Sequence, residues 1–256
     1  MTDDAFIQEA QDLIQRVVEA DTNNFLELAK IAGLDVRTDL AGADLSGFDL
    51  RDAILSGVNL SHANLSYAIL SHANLFGVIL SHTNLSSANL SHALLMDADL
   101  SHANLSHANL SHANLSHANL RNTIIDAETK IDSKWRIVWE IVNQEAAGRD
   151  LSQVDLSYAY LGQVNLNRAR LVQANLSWTI LTEANLVKAN LIGADLSYAN
   201  LLEANLTNAD LSGANVEKAR FGDNEGISET MKRDLIARGA IFEDSPGDRS
   251  GILVGV

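Results

Sequence analysis

Eight histidines fall on one register of this 256-residue chain: His62, His72, His82, His92, His102, His107, His112 and His117 each stand two residues after a leucine. Imidazoles at fixed spacing can ligate a metal, exchange protons near neutral pH or act as general bases. A serine precedes every one of them, but a Ser–His neighbour pair in sequence is not a catalytic arrangement, which needs groups converging on a pocket. The chain has no Gly-rich phosphate loop and no His-x-x-x-His on a helical pattern. It also lacks cysteine, so disulfides, thiolate nucleophiles and Cys-based metal sites are excluded. These residues point away from an enzyme and toward a patterned surface.

The pattern beneath them is a period of five. An apolar residue, nearly always Leu, recurs thirty-three times, from Leu40 to Ile125 and again from Leu151 to Phe221; residues 101–120 read SHANL four times over. An α-helix repeats every 3.6 residues, so leucines five apart would drift around its surface. In an extended segment residues i−2 and i share a side. Ala63 and Leu65 then face inward while Asn64 faces out, and two further residues turn the chain before the next unit. A short fixed period of this kind marks a solenoid, which presents a surface rather than a cleft.

Composition agrees. Apolar residues make up 46% and aromatics 5%, so the core is built from Leu, Ala, Ile and Val. The net charge of −15 disfavours direct contact with nucleic acid or an anionic membrane. No apolar run approaches the roughly 20 residues of a membrane span, and the acidic, amphipathic start MTDDAFIQEAQ is unlike a signal peptide. A cytoplasmic protein is the expectation. Residues 60–120 hold no Lys or Arg, and only Asp97 and Asp99 as acids.

The A(N/D)LSx units over about 37–125 and 148–222 closely resemble pentapeptide-repeat proteins, particularly those of cyanobacteria. The resemblance implies an all-β solenoid: a right-handed quadrilateral β-helix with four pentapeptides per coil. Residues one coil apart then stack. His62, His82 and His102 form one ladder and His72, His92 and His112 another, open to adventitious metal or to a pH response, although outward histidines spread by repeat duplication need no function. Tyr158, Trp178 and Tyr198 form an aromatic column, with Val172 and Ile192 exposed beside it. Exposed apolar columns on a polar surface suggest contact with something: the 132–145 helix or a terminal segment folded over them, a second copy of the chain, or a partner protein. Some members of the family imitate duplex DNA and bind DNA gyrase; the acidic charge fits that alternative, whereas the nearly uncharged stretch 60–120 does not.

A solenoid needs its ends closed. Phe6, Ala10, Leu13, Ile14, Val17 and Val18 recur at helical spacing, and Glu27 follows Asn24 as in a capping box; residues 1–34 read as a helical N-terminal cap. The period breaks over 126–147, which reads as an insertion from one edge of a continuous solenoid; two separate domains are the alternative, each then needing another cap at the break. The segment contains Trp135, Val138, Trp139 and Val142 at helical spacing, with Asp132 as N-cap and Gly148 as terminator; Trp135 and Trp139 join the candidate contact residues. Ser228 opens a helix near 229–238, closed by Gly239, within a C-terminal region 223–256 that ends in a loose tail. The function expected is that of a non-enzymatic interaction or scaffold protein, with no cofactor.

Overall fold

The computed structural model describes residues 25–31, 33, 35 and 40–243; the helical pattern over residues 4–20 and the tail from 244 lie outside them. The chain divides into two compact units, Met1–Asp132 and Ser133–Val256. Both are made the same way. Short parallel bridges join residues four pentapeptides apart, Asn64 to Asn84 and Asn84 to Asn104 in the first unit, Asp155 to Asn175 and Asn175 to Asp195 in the second. A coil is therefore four pentapeptides, and the solenoid closes on four faces.

Each place in the pentapeptide has a physical task. The Leu side chains fill the core and are essentially unexposed from Leu60 to Leu105 and from Leu156 to Leu206. Two residues before each, Ala lets the opposing wall approach. Where Thr replaces that Ala, its buried hydroxyl finds a carbonyl: Thr83 donates to Leu60 O, Thr123 to Leu120 O and Thr179 to Leu176 O. The intervening Asn or Asp turns its carboxamide or carboxylate oxygen onto the N–H two residues on, as Asn64 does to Ser66. Its amide reaches the coil before, Asn84 Nδ2 donating to Asn64 Oδ1 at 3.1 Å. Backbone N–H groups that the turns leave over bond the neighbouring coil; Leu65 N donates to Asn84 O at 2.7 Å.

The fifth place is the corner. Ala63 N closes a turn onto Leu60 O at 3.1 Å, and His62 inside that turn has φ +60°. All eight histidines share this left-handed backbone, with φ between 57° and 61°. Few non-glycine residues adopt it cheaply, and His, Asn and Asp are enriched among those that do. Corner conformation therefore accounts for where the histidines stand.

The ladders overrun the sequence boundaries. In the first unit Asn109 bridges Lys130, one position beyond the regular stacking step, and buried Thr129 sends its hydroxyl to Leu105 O. In the second, buried Ala146 takes a leucine's place. Gly148, with φ +70°, is the corner that follows, and not a helix terminator: the helix before it ends at Asn143.

Three helices are described. α1 spans Phe25–Ile31. α2 spans Ser133–Asn143 and buries Trp135, Val138 and Ile141, a face rotated from the expected stripe, with Trp139 and Val142 half-buried. α3 spans Glu229–Ala237, with Ser228 Oγ accepting from Met231 N. None is long and apolar enough to cross a membrane. Beyond α3, β2 (Ile241–Phe242) pairs in parallel with β1 (Arg220–Phe221), and Phe242 stacks on buried Phe221 with ring centroids 5.2 Å apart. Arg238 at the end of α3 donates to Leu211 O and Ala214 O, carbonyls on the edge of the last coil.

Gly226 permits this closure. A Cβ there would lie 2.3 Å from Thr207 Cα, on a backbone of φ +83°. Gly226→Ala is expected to lower the thermal midpoint by more than the roughly 1–2 kcal/mol of a left-handed alanine alone. Gly213→Asn, at a corner where a Cβ would meet nothing within 4 Å, is expected to leave the midpoint nearly unchanged.

Candidate functional site

Surface chemistry concentrates on the corners, because core and ladder consume the other places. In the first unit His62, His82 and His102 stack in parallel, with centroids 4.8 and 4.5 Å apart and planes within 7°. His72 and His92 stack at 4.8 Å, and His112 tilts by 31° at 5.0 Å from His92. Asn122, next on the first ladder, sets its amide nitrogen 3.2 Å from His102 Nε2. Two metal–nitrogen bonds of 2.0–2.1 Å span at most about 4.2 Å. Parallel rings at these spacings do not share an ion without turning.

Two histidines leave the stacking pattern. His117 Nδ1 lies 3.5 Å from Asp97 Oδ1, and His107 Nε2 lies 3.4 Å from Asp126 Oδ2. Sequence reasoning missed both pairings. Asp97 stands one full coil before His117, so its column was readable; Asp126 belongs to the irregular turn where the period breaks.

In the second unit Tyr158, Trp178 and Tyr198 form the expected column. Centroids are 5.9 Å apart for Tyr158 and Trp178 and 4.2 Å for Trp178 and Tyr198, with planes within 4°. The three are 40%, 42% and 36% exposed. Lys218 ends the column, its Nζ 3.0 Å from Tyr198 Oη and 5.0 Å from the ring centroid. The hydrogen bond to Tyr198 raises the lysine's pKa and holds it charged. Ile192 is exposed and Val172 half-buried. The neighbouring corners differ in chemistry: Gln153 and Gln173 share an amide hydrogen bond of 3.1 Å, and Gln163 donates to Glu183. Trp135 is only 8% exposed. It packs within the fold, under Lys134 at 5.0 Å, and is no contact residue for a partner; half-buried Trp139 keeps part of its surface.

A depression of about 420 Å³ between the last coil and α3 is lined by Leu211, Met231, Asp234 and Arg238 among others. Its arginine already serves the Leu211 and Ala214 carbonyls and pairs with Asp234 at 2.7 Å.

This corner-and-core construction matches the family model for pentapeptide repeats, in eight copies, over residues 36–71, 53–91, 93–126, 150–186 and 184–223. The chain belongs to the pentapeptide-repeat family. Members fold as right-handed quadrilateral β-helices and are in general structural or interaction proteins.

Among solved structures the chain is similar to Rfr23, a pentapeptide-repeat protein of the cyanobacterium Cyanothece 51142, with 37% identity over 36% of this chain and a TM-score of 0.36. That match spans 63% of Rfr23's own length. HetL of the cyanobacterium Nostoc sp. strain PCC 7120, a pentapeptide-repeat protein involved in heterocyst differentiation regulation, is 35% identical over 70% of this chain and 83% of its own, with a TM-score of 0.26. QnrB1, a plasmid-mediated fluoroquinolone resistance protein, is 16% identical over 79% of this chain and 90% of its own, with a TM-score of 0.30. No curated protein gives a significant match.

One ion pair anchors α2 to the coil of its own unit. Lys134 Nζ donates to Ser157 Oγ at 2.8 Å and lies 3.2 Å from Asp155 Oδ2. Partial burial opposes ionisation of Asp155, but hydrogen bonds from Ser157 and the lysine hold its pKa below the ordinary value. A depressed carboxylate contributes stability above its unfolded pKa of about 3.9 and loses it as pH falls through the folded value. Acid unfolding followed by tryptophan fluorescence is expected to show a contribution lost below about pH 4, and Asp155→Asn is expected to remove that part of the pH dependence.

Proposed function

We propose that this protein is a non-enzymatic protein-interaction module whose contact surface is the aromatic corner of the second unit: Tyr158, Trp178 and Tyr198, with Ile192 and Val172 beside them. The observation that supports this most strongly is conformational. All three aromatics sit at positive φ, 59° to 60°, where a bulky side chain costs roughly 1–2 kcal/mol. Each stacked pair returns only about 0.5–1.5 kcal/mol. Most other corners carry Gly, His, Asn, Asp or a flexible polar side chain, so three aromatics in one column gain little for the fold by themselves. Burial of their exposed surface against another protein supplies a reason for them. Large, rigid aromatics are favoured anchors at interfaces because little conformational freedom is lost on contact.

A DNA-mimic acting on DNA gyrase is the other reading, and the charge layout argues against it. Duplex imitation needs long acidic rows spaced like phosphates. Residues 60–120 offer only Asp97 and Asp99. In the second unit the acidic positions Glu183 and Glu203 share their coils with Arg168 and Lys188.

The test is the triple variant Tyr158→Asn, Trp178→Asn, Tyr198→Asn, since Asn tolerates the corner backbone. Its thermal midpoint is expected to equal or exceed that of the wild type. Wild type is expected to self-associate in sedimentation velocity or to retain a specific protein from native-host lysate, and the variant to do neither. Retention of the same interaction by a folded variant would rule this corner out. Supercoiling by DNA gyrase is expected to be unaffected by micromolar protein, and dose-dependent inhibition would restore the mimic reading.

A further inference from the structure

We propose that the end of the first unit carries a divalent-metal site made by His107, Asp126 and Glu128. One ligand atom from each of the three lies within 4.8 Å of the other two, the sole such group of three found among the described residues. The edge of a tetrahedron with metal–ligand bonds of 2.0–2.1 Å is about 3.3–3.4 Å. His107 Nε2 and Asp126 Oδ2 are already 3.4 Å apart. The stacked histidines, at 4.5–5.0 Å, miss that spacing. His117 and Asp97 come close to it at 3.5 Å, but they belong to no group of three ligands among the described residues.

The carboxylate is held in place before any ion arrives. Asp126 Oδ1 accepts the Thr129 N–H at 2.8 Å, the Thr129 hydroxyl, its one proton shared with Leu105 O, lies 2.8 Å from the same oxygen, and the His107 N–H lies 3.1 Å from each carboxylate oxygen. Outer hydrogen bonds of this kind fix a ligand's direction, and their loss typically weakens metal binding 10–100-fold. They also hold Asp126 ionised, the His107 N–H making the largest contribution against a partial cost of burial.

Asp126 has a structural task as well. Along the ladder a corner N–H bonds a carbonyl of the next coil, His102 N to Arg121 O for example, whereas at His107 the Asp126 side chain takes that role. That capping requires only the backbone of residue 107. It does not require an imidazole whose Nε2 meets the same carboxylate, or a second carboxylate two positions further along the turn. Glu128 is exposed, and its flexible side chain can close the remaining distance, leaving a fourth position for water. One nitrogen and two oxygen donors, with His107 and Asp126 already at a tetrahedral edge, suit Zn²⁺ among the common divalent ions.

The test is calorimetric titration of the tag-free full chain with Zn²⁺, comparing wild type with His107→Asn, Glu128→Gln and His82→Asn. Asn already occupies corners at Asn122 and Asn208, so the histidine variants keep a tolerated backbone, and thermal melts check that each remains folded. Wild type is expected to bind one equivalent. His107→Asn and Glu128→Gln are each expected to weaken binding at least about tenfold, and His82→Asn to leave it unchanged. Absence of a saturable site in wild type, or unchanged affinity in either His107→Asn or Glu128→Gln, would overturn the proposal.

Discussion

Everything on this surface depends on a turn that must recur once in every pentapeptide. For each leucine to return to the core on schedule, the chain must reverse direction sharply, and it does so through one left-handed residue per repeat. The turn bond from Ala63 N to Leu60 O and the coil-to-coil bond from His62 N to Ser81 O both require that geometry. Because the corner backbone is fixed while its side chain points outward, corner identity is limited by conformational preference on one side and by whatever the surface must do on the other. His62 and the other stacked histidines meet the first limit readily. Tyr158, Trp178 and Tyr198 do not, which is why the contact surface is proposed there.

The Asn or Asp place shows how a repeat can stabilise itself without large side chains. Its oxygen bonds the N–H two positions ahead, and in many coils its amide bonds the oxygen of the residue stacked one coil before. Asp cannot supply the second bond, so columns mix the two: Asn119 donates to Asp99, and Asn215 to Asp195. A carboxylate in such a column receives both the local N–H and the neighbouring amide, as Asp99 does from Ser101 and Asn119, which ties that charge to the framework.

How far this was legible in the sequence follows from which residues obey the period. Leu, Ala and Asn repeat strictly enough to give the inward and outward positions, and stacking at every fourth pentapeptide places both the histidine ladders and the aromatic column. The coil-to-coil contacts run past the visible period where small or polar residues stand in for leucine or alanine. Ala146 continues the second block and Thr129–Lys130 the first, but neither has the apolar bulk that marks a repeat. The buried face of α2 was open in the sequence for a related reason. Four apolar residues at helical spacing gave one stripe, yet Ile137 and Ile141 made the helix apolar on several sides, and packing selected Trp135, Val138 and Ile141. The meeting of His107 with Asp126 and Glu128 was not readable at all, since an extra residue at the end of the block shifts the register there.

That shift shows where new chemistry can enter a protein of this kind. Within regular coils, side chains on neighbouring corners are held near the ladder spacing, 4.5–5.0 Å between stacked rings, which suits aromatic stacking and is too wide for two atoms to grip one ion. An irregular turn escapes this constraint. The lengthened step between Asn109 and Lys130 frees the Asp126–Thr129 segment to fold on itself, and two carboxylates, Asp126 and Glu128, then come near His107, where a regular coil brings His117 only Asp97. Regular repeats therefore favour broad contact surfaces such as the aromatic corner, while convergent ligands are to be sought where the period breaks.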